Sequence, residues 1–363
     1  MHCKHFGVCG GCTLPGVPYA EQLAKKRSDL SRLLGIDVPP LIPSPKDAGF
    51  RSKVAFVFAA ESRGRGLIMG HYALASQRVI PVDECPVHHE RGNRIAFALR
   101  DHLARVSAIA PLLRHVIVRV TEDGREASAM LVVYRNDKSL RTPVKKFLQS
   151  ADKPDGFFVN IHDKPGPFMI GDETSKIEGR SHVKEVVNGV SYLVSPTAFF
   201  QTNVGIAAAI VKMVLEEVRG KTVLDLYCGT GLFALQLARS GARVTAIEEN
   251  RSAIKDAEAN LRLNRLPDGQ VRFVAGKAEE MVKGAFDAVI MDPPRQGCPP
   301  RVLAAVFEQM RPAKVVYVSC NPDALAKELP VILKAGYRAT RAQAVDMFPH
   351  TNHIETVMAF ERR

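Results

Sequence analysis

Apolar positions recur with three different rhythms along this chain, and each rhythm marks a separate region. From about Pro18 to Leu34, Tyr19, Leu23, Leu30, Leu33 and Leu34 fall at helical spacing, with Lys25, Lys26 and Arg27 on the polar side. Pro39, Pro40, Pro43 and Pro45 then break the pattern, so about 36–46 reads as a linker or crossover. From about 50 to 192 apolar residues alternate as in strands, at 54–58, 116–120, 129–133 and 157–161, with helical stretches near 92–109 and 139–150. That mixture predicts an α+β domain built mainly on antiparallel strands.

Beyond Val194 the rhythm becomes a regular strand–helix alternation. Helices are expected at 203–219, 231–240, 250–264, 276–283, 299–310 and 322–335, and strands at 222–227, 243–247, 271–274, 286–291 and 314–318. Two closing strands follow at about 337–346 and 353–361. Such alternation predicts a mostly parallel sheet covered by helices on both faces, with ligands at the carboxyl ends of the strands. The expected organisation is 1–40 as a cysteine loop and leading helix, 41–192 as the central domain and 193–363 as the doubly wound one.

Composition narrows the field. With 363 residues and 46% hydrophobic content, more than one core can form. Fifty Lys and Arg against 38 Asp and Glu leave a net charge of +12, which suits a polyanionic partner. The plain alternative is a generally basic, soluble surface. The chain opens without a signal-like apolar stretch and has no window long enough to cross a bilayer, so a cytoplasmic protein without membrane contact is expected. In that reducing compartment seven cysteines point to metal binding or catalysis rather than disulfides.

The candidate chemistry lies at strand ends. Gly229-Thr230-Gly231, between a strand and a helix, lets the backbone approach a ligand closely, and Glu248 ends the next strand, where a carboxylate can accept from both ribose hydroxyls. Glycine spacing leaves a dinucleotide dehydrogenase in play. Asp292-Pro293-Pro294-Arg295, a proline-stiffened loop of the kind found in methyltransferases acting on bases, decides against it. Cys320 tops a central strand just before Asn321-Pro322 opens a helix, whose dipole is expected to favour a thiolate. Uracil C5 is a poor nucleophile until a thiolate adds at C6, and a base must later remove the C5 proton. Cys320 suits the first role and Glu355 the second, although singly each reads as a packed small residue and a solvated strand carboxylate.

A second constellation is Cys3, Cys9 and Cys12, joined by Cys85 in Asp83-Glu84-Cys85-Pro86. Four thiolates suit either zinc or an iron–sulfur cluster, and spacing alone does not choose.

Phe199-Phe200-Gln201-Thr202-Asn203, Asp225-Leu226-Tyr227-Cys228-Gly229, Asp292-Pro293-Pro294-Arg295, Ser319-Cys320-Asn321 and His353-Ile354-Glu355 stand in one order. In that order the chain resembles the RNA 5-methyluridine (uracil-C5) methyltransferases over nearly its whole length, most closely their short 23S rRNA branch, the RlmC (RumB) type. The resemblance implies a class I S-adenosylmethionine-dependent methyltransferase domain of Rossmann-like α/β fold, preceded by a smaller α+β domain with an iron–sulfur loop. It implies Cys320 as nucleophile and Glu355 as general base, with Gln201, Tyr227, Glu248 and Asp292 lining the S-adenosyl-L-methionine site. It also implies a [4Fe-4S] cluster on Cys3, Cys9, Cys12 and Cys85, with a structural role because methyl transfer moves no net electrons.

The expected substrate is 23S rRNA, at uracil 747 by resemblance, with the T-loop uridine of tRNA as the alternative and a monomer without an obligate protein partner as the working form. More distant are a non-catalytic iron–sulfur RNA-binding protein, against which Cys320 and Glu355 argue, and an amino-group methyltransferase, against which Arg295 argues. Leu232 stands where some relatives carry Asn, putting one cofactor contact in doubt; Cys228 reads as packing beside the cofactor loop and Cys298 as incidental. No β-barrel module is seen before Cys3, so RNA choice is expected from the central domain. Its candidate RNA face is Phe50-Arg51-Ser52-Lys53, Arg63-Gly64-Arg65-Gly66 and His71-Tyr72, with Phe348-Pro349-His350 near the reacting base.

Overall fold

The computed structural model describes residues 1–61, 66–164, 169–218 and 220–363. Arg63, Gly64 and Arg65 of the candidate RNA face lie outside these described residues. The chain divides into two compact units: Met1–Gly16, Lys46–Glu185 and Val194–Thr197 form unit 1, and Val17–Pro45, Val186–Leu193 and Ala198–Arg363 form unit 2.

The first helix, α1 (Tyr19–Leu34), belongs to unit 2 and not with the cysteine loop. The reason lies on its buried face: Leu30 and Leu34 join the apolar core of the doubly wound sheet. Lys26, expected on the polar side, is 2% exposed and bonded to Asp346, because a buried carboxylate waits for it there. Gly35 closes the helix in the left-handed conformation that a glycine adopts without strain. The proline-rich stretch after it runs beside the sheet, where Ile42 donates to Ala344 O at 3.0 Å and accepts from Asp346 N at 2.9 Å.

Unit 1 is built on β1 (Lys53–Ala60), β2 (Leu67–Tyr72), β3 (Val79–Pro81), β4 (Leu113–Val120), β5 (Ala127–Val133), β6 (Gly156–Ile161) and β7 (Glu173–Gly179). Among the described residues these make one sheet of seven strands in the order β3-β2-β1-β4-β5-β6-β7, antiparallel except where β5 and β6 run parallel. The parallel pair needs a crossover, and α3 (Arg141–Leu148) supplies it. One face of the sheet packs against α2 (Glu90–Leu103) and α3 through Val54, Phe56, Val118, Leu131, Leu99 and Phe147. The expected helix over 92–109 ends at Leu103, and a short 3-10 turn over Ser107–Leu112, containing Pro111, leads into β4. A hairpin of β8 (Val183–Val187) and β9 (Val190–Val194) follows.

Unit 2 continues with α4 (Val204–Glu217), β10 (Thr222–Leu226), α5 (Leu232–Arg239), β11 (Arg243–Glu248), α6 (Arg251–Leu263), β12 (Val271–Ala275), α7 (Ala278–Met281) and β13 (Ala288–Met291). Then come α8 (Pro300–Leu303), which runs on as π-helix over Ala304–Met310, β14 (Lys314–Ser319), α9 (Pro322–Lys334), β15 (Tyr337–Val345) and β16 (Glu355–Arg362). Their sheet has the order β12-β11-β10-β13-β14-β16-β15, parallel from β12 to β14, with β16 and β15 closing it antiparallel. The fourth helix of the expected alternation shrinks to Ala278–Met281, between Gly276 and Gly284. Burial explains the near-continuous apolar strands: β13 and the run Val315–Val318 of β14 are covered on both faces, each such side chain contributing about 1.5–3 kcal/mol. Among the described residues no helix is long and apolar enough to cross a membrane.

Candidate active site

Strand order decides where a ligand can sit. The chain winds outward from β10 in both directions, so the carboxyl ends of β10 and β13 open a crevice between them. The loop after β10 enters it through Tyr227, held at φ 65, a costly left-handed conformation for a bulky residue. Gly229 follows at φ 54, and a Cβ there would meet nothing within 4 Å, so the backbone faces open space. From the end of β11, Glu248 braces this turn: one carboxylate oxygen accepts from Gly229 N at 3.1 Å and the other from Asn250 N at 2.8 Å. Asn260, fully buried on α6, donates to Thr230 O at 3.3 Å from the other side.

Beneath the turn lies Asp225, which the sequence reading missed. It is 0% exposed, burial holds its carboxyl well above the usual range, and the nearby Asp292 and Glu248 add to the shift. Neither oxygen has a well-formed hydrogen-bond partner, although the Ala234 amide is close enough to oppose the shift. A buried carboxylate left this way beside an open glycine turn awaits a donor. With Glu248 at the rim and half-buried Gln201 ahead of α4, the residues present fit a nucleoside ligand bearing an amino group, as S-adenosylmethionine does. Leu232 is buried at the start of α5.

The loop after β13 carries Asp292 and is fixed at three points. Asp292 N donates to Leu226 O at 3.3 Å, and Asn321 Nδ2 donates to Arg295 O at 2.8 Å. Glu328 on α9 accepts from Cys298 N at 2.7 Å with one oxygen and from the Tyr317 hydroxyl at 2.6 Å with the other. Cys298 is thus not incidental: its thiol also lies against the Tyr227 hydroxyl. Glu328 was invisible as a site residue because it reads as one more carboxylate on a helix surface. Cys228 is buried beside the cofactor turn, as expected for a packing residue.

Sheet register brings Cys320 to Glu355. The register of β14 and β16 runs to Ser319 with Thr356, so the next step places Cys320 beside Glu355 on the same edge. Cys320 is half-buried, and its thiol is pushed up to about 11, first by burial and then by Glu355 and Asp292, with Arg295 opposing. From the sequence a thiolate is expected here at the helix end, whereas burial and the neighbouring carboxylates favour the protonated thiol; Asn321 caps α9 by accepting from Asp323 N. Glu355 is 4% exposed and is itself raised well above its usual range by burial and Asp292. Asp292, partly open to the crevice, is pushed up to about 7 by burial. A cleft of about 370 Å³ opens over Cys320, lined also by Arg295, Asn321, Asn352 and His353 and, from α1, by Leu30 and Leu33. His350, expected near the reacting base, is instead buried and bonded to Gln22.

Unit 1 holds a second site. Cys3, Cys9, Cys12 and Cys85 line one cavity of about 140 Å³ together with Arg51, Lys53, His71 and His88. Gly11 N donates to Cys9 Sγ at 3.3 Å, while Cys85 sits in a turn held by His88 N and Asn93 Nδ2 on its carbonyl, at 3.1 and 2.9 Å. Burial pushes the Cys12 thiol up to about 11 and that of Cys85 to about 12, against the pull of Arg51. Burial lowers His71 to about 4 and holds His88 well below the usual imidazole range, so both favour the neutral form. Among the described residues, the group of three or more metal-type donors lying within 4.8 Å of one another is His71, Cys85 and His88. Four thiols around one cavity suit a metal centre, and the donor set does not choose between a single ion and a multi-iron core. The candidate RNA face is correspondingly reduced: Phe50 is 1% exposed, Arg51, Lys53 and His71 face the cysteine cavity, and Tyr72 remains at the surface.

Residues 18–363 match the family described as tRNA (Uracil-5-)-methyltransferase. A Geobacter sulfurreducens protein named as an uncharacterized RNA methyltransferase is 34% identical over 98% of this chain and 76% of its own length. The tRNA (uracil(54)-C(5))-methyltransferase of Pyrococcus horikoshii is 33% identical over 98% of this chain and 84% of its own. Among solved structures, the Pyrococcus abyssi tRNA (uracil-54, C5)-methyltransferase in complex with S-adenosyl-L-homocysteine superposes with a TM-score of 0.82 at 29% identity, covering 98% of this chain and 86% of that one.

Proposed function

The chain belongs to the tRNA (uracil-5-)-methyltransferase family, and on that premise we propose that Cys320 and Glu355 are the nucleophile and base with which it methylates a uridine of 23S rRNA. It is an S-adenosylmethionine-dependent RNA uracil-C5 methyltransferase with the class I fold. The observation that carries the catalytic assignment is the register of β14 and β16, which sets the Cys320 thiol and the Glu355 carboxyl side by side at one end of the sheet.

In this reading Cys320 gives its proton to solvent in the open cleft, leaving Glu355 ionised for the later step, and adds to C6 of the uracil, moving the C5–C6 electron pair to C5 and the C4 carbonyl. S-adenosylmethionine, when bound, supplies a sulfonium methyl group to C5. Glu248 would hold its ribose, Tyr227 and Gln201 would border it, and Asp292 would lie at its methionine or at the reacting base. Glu355 then takes the C5 proton, the C5–C6 double bond reforms and the Cys320 thiolate leaves. The flat cleft above Cys320 suits a base turned out of its stack. Cys3, Cys9, Cys12 and Cys85 hold a [4Fe-4S] cluster that ties the N-terminal loop to β2 and the turn before α2, with no part in methyl transfer.

The rRNA target rests on the motif resemblance to the short rRNA-directed branch. A second reading, the T-loop uridine of tRNA, is favoured by the names of the two Pyrococcus relatives. Incubation of the protein with labelled cofactor and separate 23S rRNA and tRNA transcripts distinguishes them. Label mapped to a 23S rRNA uridine is expected; label confined to tRNA replaces the first reading with the second.

A further inference from the structure

The polar residues on the buried face of α1 are out of place in a helix whose neighbours on that face, Leu30 and Leu34, enter the apolar core. Gln22 is 0% exposed and Lys26 is 2% exposed. Both reach the same target, the loop that joins β15 to β16 more than three hundred residues later in the chain. Lys26 Nζ donates to Asp346 Oδ1 at 2.6 Å and to Phe348 O at 3.1 Å. Gln22 Oε1 accepts from His350 N at 2.8 Å, and its Nε2 lies 3.0 Å from His350 Nδ1 while donating to Val17 O at 2.8 Å. The loop is therefore gripped at 346, 348 and 350, and His350 is held at φ 65.

Beyond that grip, Thr351 Oγ1 donates to Phe348 O at 2.8 Å and accepts from His353 N at 3.2 Å, so the restraint passes along the loop toward its far end. That end is Glu355, paired with Val345, the residue just before the gripped Asp346. An ion pair without solvent is costly to bury and adds little net stability over apolar packing, so its presence here argues for a demand on geometry.

We infer that Gln22 and Lys26 are positioning residues for the proton-removal step: they hold the 346–353 loop so that the Glu355 carboxylate meets the C5 proton, and they take no part in thiol addition. The inference rests on the assignment of Cys320 and Glu355 given above. A displaced Glu355 leaves the methylated base bonded to Cys320, because the C5–H electron pair cannot return to the ring and expel the thiolate. Substitution in α1 should accordingly trap a covalent enzyme–RNA complex, which a general loss of packing would not do.

The test uses Lys26→Met combined with Asp346→Asn, which leaves no unpaired buried charge, and separately Gln22→Met. Two rates are read for each: adduct formation on RNA carrying 5-fluorouridine at the target, and turnover of ordinary RNA with the covalent fraction measured on denaturing gels. Adduct formation within about twofold of the unsubstituted protein is expected, with turnover lowered roughly ten- to a hundredfold and the covalent species accumulating, as for a carboxylate displaced by about an ångström. Turnover that falls without a trapped complex, or both rates falling together, overturns the inference. If the unsubstituted protein forms no adduct with 5-fluorouridine RNA, or Glu355→Gln turns over normally, the catalytic assignment itself fails and the inference with it.

Discussion

Two places in this molecule hold thiols that burial has made reluctant to ionise, Cys320 in unit 2 and Cys12 and Cys85 in unit 1, yet their surroundings differ, and the chemistry we propose for them differs accordingly. Cys320 stands at the end of a parallel strand among Glu355 and Asp292, groups able to take a proton and return it. Cys12 and Cys85 stand among other thiols, the His71 and His88 imidazoles, the Glu84 carboxylate and the Arg51 guanidinium, and of these side chains only Arg51 pulls against burial by favouring negative charge on sulfur. A raised thiol is thus uninformative by itself. In the proposed reading, Cys320 among its carboxylates ionises transiently to attack carbon, whereas Cys12 and Cys85 among other thiols lose their protons when metal enters.

The largest expected effect separates the two sites. Cys85→Ser should remove iron and lower the melting temperature, while Cys320→Ala should abolish methylation and leave iron content and melting temperature unchanged; iron analysis, thermal melts and methyl transfer on both variants check this. Full activity in an iron-free, normally folded Cys85→Ser protein would undo the cluster half of the comparison. Next in size, Glu248→Gln removes a charged acceptor that also braces Gly229, and should weaken S-adenosylhomocysteine binding roughly ten- to a hundredfold by calorimetry. The smallest effect is a shift of profile. With the Cys320 thiol raised to about 11, its alkylation by iodoacetamide should still be accelerating at pH 9, and Glu355→Gln, by removing a negative neighbour, should move the profile toward lower pH. An unmoved profile would mean that the two groups do not feel one another.

Much of this was legible in the sequence wherever chemistry and local pattern coincide. The strand–helix alternation after Val194 places Glu248, Asp292 and Cys320 at strand ends, and the sheet has the expected parallel core. Glu355 is different: the motif His353-Ile354-Glu355 pointed to it only through a resemblance, and its place near Cys320 arises from antiparallel register with β14, which no local pattern encodes. Asp225 did carry a signal, a carboxylate inside the apolar strand Thr222–Leu226, but the glycines beside it drew the reading away. Lys26 was misplaced for the converse reason: beside Lys25 and Arg27 it looks like a solvated face, and only a partner 320 residues distant brings it inside. Phe50 and Arg51 read as an RNA-binding stretch, whereas the fold turns one into the core and the other toward the cysteine cavity.

The central claim is a covalent bond between one sulfur and a pyrimidine ring. Intact-mass measurement of the protein after reaction with labelled cofactor and 5-fluorouridine RNA, followed by peptide mapping, addresses it directly. A methylated nucleotide attached at Cys320, absent in Cys320→Ala, is the expected result; methylated RNA with no attachment, or attachment at another cysteine, would contradict the account.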